Sequence, residues 1–371
     1  MSGSILLQNF PALAAASDTT DWLKESPFRQ DITTEKITQT ESVPSETETV
    51  SPETLSTFQT EAETEIPEES KSSNNTASFL MADNSDTFSQ ILQEATLTPS
   101  YTFDSLNQDF SWKELKTELT RRINSYSSKW SVYLKDLTTG NVISINERAQ
   151  ESASLIKLYV MGAVMQEIQN GNLEMNDTTK HLLDEMITVS DNSATNELVR
   201  YLNKDHDHKK GMKKVNAFIK AQGFEYTHEY NGLEDTSLWY DTDTKNTTSA
   251  KDCGRLLERI YRGEFVSHLA SRQMEELLLN QQVTYKIPST IPSESRVANK
   301  TGETSDCEND AAIVYTPKGD YILCIMSCEV SSKNSAVDSL QEMSSLIYSY
   351  FMNRDTSKLS RQVEATAKET D

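Results

Sequence analysis

The chain has 371 residues, a formal net charge of −22, 36% hydrophobic residues and four cysteines, which is room for one large or two ordinary domains. Residues 1–105 hold 18 acidic against 4 basic side chains, and no basic stripe follows, which argues against nucleic acid or an anionic membrane surface as partner. No apolar run reaches the length of a membrane span, and four cysteines in so long a chain form neither a disulfide framework nor a zinc pattern.

Residues 1–16 read as a remnant export signal. Residues 5–16 are mildly apolar and end in small residues, although the basic stretch of an ordinary signal peptide does not precede them. Export to the cell exterior or cell surface is therefore expected. Residues 17–100 are a Ser/Thr/Glu tract with scattered prolines, too polar and too uniformly charged to bury a core. The organisation predicted is a disordered acidic arm over 1–105, suited to tethering, a folded domain over 106–353, and a disordered tail over 354–371.

Order begins near Trp112. Helical spacing covers 112–126, and alternation predicts strands at 130–134 and 142–145 around a turn at Gly140-Asn141. A helix apolar on almost every face follows Ser154 and stops at Asn170-Gly171, the pattern of a buried helix. Its first turn carries Lys157, and burying a lysine is costly unless it gains partners or loses its proton. Further helices are predicted at 178–187, 193–202 and 209–222, then a long aperiodic loop at 226–246. Loops of that length are usually functional. Helices at 250–261 and 267–280 lead to strands at 296–301, 311–316 and 321–330 and a final helix at 335–351. Strands at both ends of a helical middle imply one antiparallel sheet with an inserted helical lobe, an α+β architecture.

Three short motifs fall on these elements: Ser154-x-x-Lys157 opening the buried helix, Ser190-Asp191-Asn192 between two helices, and Lys300-Thr301-Gly302 ending a strand. Each is weak alone, but the ordered set is that of the penicillin-recognising serine enzymes. Residues 107–352 resemble class A β-lactamases and their serine-hydrolase relatives, and the stretches at 187–196, 246–250, 297–303 and 309–314 resemble the family's local sequence. The resemblance implies a five-stranded antiparallel sheet flanked by helices, and acyl transfer from a β-lactam or related amide through an acyl-Ser154 intermediate. It makes Lys157 the base toward Ser154, Ser190 the proton relay and Asn192 a holder of Lys157 or the substrate amide. Lys300 and Thr301 would meet the substrate carboxylate, with Gly302 and Glu303 completing the motif and the Glu303 N–H serving the oxyanion beside that of Ser154. No metal or cofactor is implied.

Three departures qualify the resemblance. The Glu-x-x-Leu-Asn loop that supplies the deacylating carboxylate is missing; Glu234 falls close to the needed place without its usual neighbours, and is either that base or a solvated loop acid. Between Lys300 and Lys318 there is no basic residue, while Glu303, Asp306, Glu308 and Asp310 are acidic. The interval from Ser154 to Ser190 is also short for a lactamase, which implies a trimmed wall and an open cleft. β-Lactam hydrolysis, a form of antibiotic resistance, is the activity expected of a monomer. The alternatives are a cell-wall peptidase or esterase, and a penicillin-binding or sensing module that acylates without turnover.

Elsewhere the plainer readings hold. Asp205-His206-Asp207-His208 reads as a solvated connector, and His181, His228 and His268 as isolated. Asp191 is expected to be buried against loop backbone. Trp239-Tyr240 either lines the cleft or pins the loop. Cys324 and Cys328, four apart on one strand face, cannot bridge each other. Cys253 and Cys307 could pair only if the fold joined them.

Overall fold

The computed structural model describes residues 111–355; the acidic arm with its export-signal remnant, and the tail from residue 356, lie outside the described residues. The first helix, α1 (Trp112–Ser125), starts where Ser111 accepts from the Glu114 N–H while the Glu114 carboxylate accepts from the Ser111 N–H, a reciprocal cap. Its buried stripe, Leu115, Leu119 and Ile123, recurs every fourth residue. Strands β1 (Lys129–Asp136) and β2 (Val142–Ile145) form the first hairpin. Asp136 holds its turn by accepting from Thr138 N–H at 2.9 Å, and the same carboxylate meets Arg354 at 2.6 Å near the far end of the domain.

The helical lobe comprises α2 (Lys157–Gln169), α3 (Asp177–Thr188), α4 (Asn192–Tyr201) and α5 (His208–Ala221), followed by α6 (Ala250–Tyr261) and α7 (His268–Leu279). Small polar residues set the starts: Asn176, Asp191, Asp207, Ser249 and Ser267 each accept a backbone N–H of the turn they open. Short strands β3 (Gln150–Glu151) and β4 (Thr247–Thr248) pair beside the start of α2. The chain then returns through β5 (Arg296–Glu303), β6 (Cys307–Tyr315) and β7 (Tyr321–Cys328) to α8 (Lys333–Asn353).

The sheet is antiparallel in the order β2-β1-β7-β6-β5. Period-2 alternation divides its side chains between two cores. Val132, Leu134, Leu323 and Ile325 pack with α1 and α8, whereas Tyr133, Ile322, Cys324 and Met326 pack with α6 and the helical lobe. Helix α2 is buried on all sides within the second core, as its sequence requires. Among the described residues no helix is long and apolar enough to cross a membrane.

Several boundaries shift by a residue or two from the sequence reading, and two of the differences bear on the site. Strand β6 begins at Cys307, four residues earlier than predicted, because Glu308, Asn309 and Asp310 are buried polar residues with partners rather than a solvated turn. Strand β5 likewise continues to Glu303, so Lys300-Thr301-Gly302 lies within the strand. The four cysteines are buried and unbridged; the β6–β7 register sets Cys307 opposite Cys328 rather than beside Cys253.

Helices α4 and α5 approach at Gly211, where an added Cβ would lie 1.8 Å from the Val199 carbonyl oxygen. Backbone cannot yield there cheaply. Gly211→Ala is expected to cost about 1–3 kcal/mol by overpacking, which lowers the thermal midpoint by roughly 2–12 °C in a domain of this size, as scanning calorimetry would read.

Candidate active site

Ser154 lies in a 3-10 turn, Ala153–Ile156, immediately before α2 rather than in the helix itself. The turn sits against β5. A Cβ at Gly302 would stand 2.8 Å from the Ser152 carbonyl and 3.1 Å from the Ser154 nitrogen, so glycine is what lets the strand approach. Gly302→Ala would push the strand end away from the serine turn. The residue before Ser154, Ala153, holds φ of 45°, a left-handed value that costs a non-glycine residue about 1–3 kcal/mol.

Lys157 is 0% exposed. Its ammonium donates to the Ser190 carbonyl at 2.5 Å, to Ser190 Oγ at 3.2 Å and to Asn192 Oδ1 at 2.7 Å. Burial pushes its pKa down to about 7, against the opposing pull of the Asp191 and Glu234 carboxylates. Lys300 reaches the same hydroxyl from β5, donating to Ser190 Oγ at 2.9 Å and to the Thr301 carbonyl at 3.0 Å. Burial, with the Lys157 charge next, holds its pKa well below the ordinary lysine range. Ser190 thus links two lysines from opposite walls. It does so with φ of 64°, and the carbonyl contact from Lys157 is what holds that conformation.

Asn192 turns its other end outward, donating from Nδ2 to Glu234 Oε2 at 3.0 Å. Glu234 therefore joins the cluster although its sequence context is unlike the family's. The loop that carries it is tied by three asparagines. Asn196 of α4 clasps Leu233, accepting from its N–H and donating to its carbonyl, both at 2.9 Å. Asn246 accepts from the N–H groups of Tyr230 and Asn231 at 2.7 and 2.9 Å, and Asn231 accepts from those of Tyr240 and Asp241 at 2.7 and 2.8 Å. The loop is a hydrogen-bonded frame; sequence reasoning picked out Asn196 and Asn246 only as part of family-like stretches and missed Asn231, for which an asparagine inside a long aperiodic segment is the signal.

Two grooves open on either side of Glu234. One, of about 660 Å³, runs past Glu185, Asp191, Asn192, Glu197 and Arg200. The other, of about 180 Å³, is lined by Glu151, Ala153, Trp239, Lys245 and Thr304. Trp239 lines the cleft and is 41% exposed, whereas Tyr240 pins the loop by packing on His208, its hydroxyl 3.3 Å from Nδ1. Thr301 is buried, and Glu303 stands at the exposed rim, where Tyr285 donates to it at 2.9 Å and Lys333 pairs with it at 3.3 Å. Asp191 is half-buried rather than buried: it caps α4, accepting from the Ala194 N–H at 2.6 Å. The connector at 205–208 supplies a helix cap through Asp207, but His208 is buried, and burial lowers its pKa to about 4.

These elements form a β-lactamase-like fold, a five-stranded antiparallel sheet and a helical lobe meeting at a serine turn. The chain belongs to the beta-lactamase enzyme family, whose sequence model matches residues 114–181 and 177–351. A β-lactamase of Bacillus licheniformis is 22% identical over 254 residues, which is 61% of this chain and 79% of the relative. Among solved structures, PBP-A superposes with a TM-score of 0.58 at 20% identity, covering 65% of this chain and 97% of PBP-A. An ancestral class A β-lactamase superposes with a TM-score of 0.56 at 19% identity, covering 63% of this chain and 98% of the ancestral one. At these identities the structural likeness is one of fold, and family and fold together support a β-lactamase-like serine hydrolase.

One buried acid under the loop carries a measurable consequence. Glu229 is fully buried, its Oε2 has no partner among the described residues, and burial pushes its pKa up to about 8. A raised pKa in the folded state means stability present below the ordinary carboxylate range and lost as pH rises through 8. Glu229→Gln, which cannot ionise, is expected to match the wild type near about pH 4, below the ordinary carboxylate value, and to exceed its melting temperature increasingly as pH rises to about 8.

Proposed function

We propose that the protein opens β-lactam amides through an acyl-Ser154 intermediate and hydrolyses that intermediate with a water activated by Glu234. The reading rests above all on one observation: Lys157, Ser190, Lys300, Asn192 and Glu234 form an unbroken chain of hydrogen bonds beside the Ser154 turn. A lysine whose pKa lies near 7 is a competent base at neutral pH, whereas an ordinary lysine is not. In the acylation step neutral Lys157 takes the Ser154 proton as Oγ bonds to the carbonyl carbon. The oxyanion is received by the N–H groups of Ser154 and Glu303, whose segments lie side by side at Gly302. The proton passes through Ser190 Oγ to the leaving nitrogen as the C–N bond breaks. Thr301 and Lys300 meet a substrate carboxylate. In the second step Glu234 takes a proton from water as the water oxygen attacks the ester carbon; the bond from that carbon to Ser154 Oγ then breaks with its electron pair on Oγ, and Glu234 returns the proton there.

PBP-A, one of the structural neighbours, is also known as a mutant in an acyl-enzyme complex with penicillin G, which favours penicillins as first probes. A second substrate reading, a cell-wall peptide, is favoured by the larger groove. Its carboxylates at Glu185, Asp191, Glu197 and Glu234 outnumber Arg200, and such a channel suits a chain bearing an amine. We place the reaction outside the cell, on the strength of the small-residue stretch within 1–16 and the acidic arm that follows it.

Intact-mass spectrometry after mixing with benzylpenicillin tests the reading. The wild type is expected to gain an adduct that then clears, and Ser154→Ala to gain none. Glu234→Gln should acylate but release its adduct slower by about 10²-fold or more, the usual contribution of a general base. A wild type that never gains an adduct would sink the reading; a Glu234→Gln variant that clears as fast as the wild type would remove Glu234 from it.

The pH profile supplies an independent check. Protonated Lys157 cannot accept the serine proton, so the acylation rate is expected to rise with pH through about 7 and then level. Below that point it should fall by about tenfold per pH unit, as for one ionising base. An acylation rate flat from pH 5 to 8 would contradict the role given to Lys157.

A further inference from the structure

Behind the end of β5 lies a buried cation that the chemistry above does not use. Lys286 precedes the 3-10 turn Ile287–Thr290 and is 0% exposed. It forms an ion pair with Glu308 Oε2 at 2.6 Å, and its ammonium donates to the Asn309 carbonyl at 3.1 Å and to the Gly302 carbonyl at 3.2 Å. The last contact is the informative one. The Gly302 carbonyl and the Glu303 N–H belong to the same planar peptide unit.

We infer that Lys286 is a positioning residue that orients and polarises the Gly302–Glu303 peptide so that its N–H stabilises the oxyanion. The inference rests on the acyl-Ser154 reading. A cation bonded to a peptide oxygen draws electron density from the nitrogen, and hydrogen bonds in series strengthen one another where water is excluded. Lys286 is also fixed, because Glu308 is held from its other side by Lys333 at 3.1 Å. Lys333 and Tyr285 further grip the Glu303 carboxylate at 3.3 and 2.9 Å. The donor peptide is thus restrained through its carbonyl and through the side chain of Glu303. A buried ion pair contributes little net stability compared with apolar residues of the same size. Its placement on this peptide is therefore better explained by preorganisation of the site.

The test compares wild type with Lys286→Met and with the double variant K286M/E308Q, which removes both buried charges and leaves no unpaired carboxylate. Three quantities are measured: the benzylpenicillin acylation rate, the affinity for phenylboronic acid, and benzylpenicillin binding in a Ser154→Ala background. Phenylboronic acid forms a tetrahedral anion on the serine, so its affinity reports the oxyanion donors. The folded double variant is expected to lose about 10- to 100-fold in acylation and in boronate affinity, with ground-state binding in the Ser154→Ala background within about twofold. A double variant equal to wild type in both, beside a wild type that acylates, overturns this inference alone. A double variant that weakens ground-state binding equally, or that loses its cooperative unfolding transition, makes Lys286 a structural tie and also overturns it. A wild type that neither acylates nor binds the boronate removes the parent reading, and this one with it.

Discussion

Lys157, Lys286 and Lys300 are all buried around the end of β5, and the local architecture is arranged around supporting them. Taking an ammonium out of water costs several kcal/mol even after relaxation, and bringing three near each other adds repulsion. The fold meets that cost in different ways. Lys286 has a buried carboxylate in direct contact, Glu308. The contacts of Lys157 are a carbonyl, a hydroxyl and an amide oxygen. Lys300 likewise meets a hydroxyl and a carbonyl; neutral acceptors compensate desolvation incompletely, and burial pushes the pKa of Lys157 down to about 7 and that of Lys300 well below the ordinary lysine range.

The same economy governs the backbone. Ala153, Ser190 and Glu234 all hold left-handed φ values, and each lies in or beside the hydrogen-bonded cluster. Such conformations persist when the surroundings over-determine them. For Ser190 the restraint is the Lys157–carbonyl contact, and for Glu234 it is the Asn196 clasp on the preceding residue. Mobility in either place would move a chemical group by the distance that separates a working hydrogen bond from none. Rigidity at the site is thus bought with polar side chains, Asn196, Asn231 and Asn246, rather than with apolar packing.

Charge around the cleft shapes what can enter. Glu151, Glu234 and Glu303 stand around a serine turn whose positive charges, Lys157 and Lys300, are buried behind it. Lys333 and Tyr285 offset Glu303 at the rim. An acidic surface of this kind repels small anions and attracts cations at the mouth of the cleft, whereas the buried lysines place positive charge behind it.

Local periodicity was sufficient to read most of the architecture. The stripe of α1, the all-round burial of α2 and the alternation of β7 follow from side-chain spacing, which depends on near neighbours alone. The three motifs were legible as well, because they rest on short intervals along single elements or turns. The first four residues of β6 were not legible: Cys307 to Asp310 look solvated until Lys286, Asn299 and the Ile287 N–H arrive as partners. Nor could Glu234 be told from a solvated acid, since its partner Asn192 lies 42 residues away. The sequence by itself determined the element types, the sheet-and-lobe division and the candidate serine and lysines. Tertiary structure alone decided which acid faces Asn192, which lysine keeps a carboxylate and which glycine permits contact with the serine turn. Those outcomes depend on distances between segments remote in the chain, and no local propensity encodes a distance of that kind.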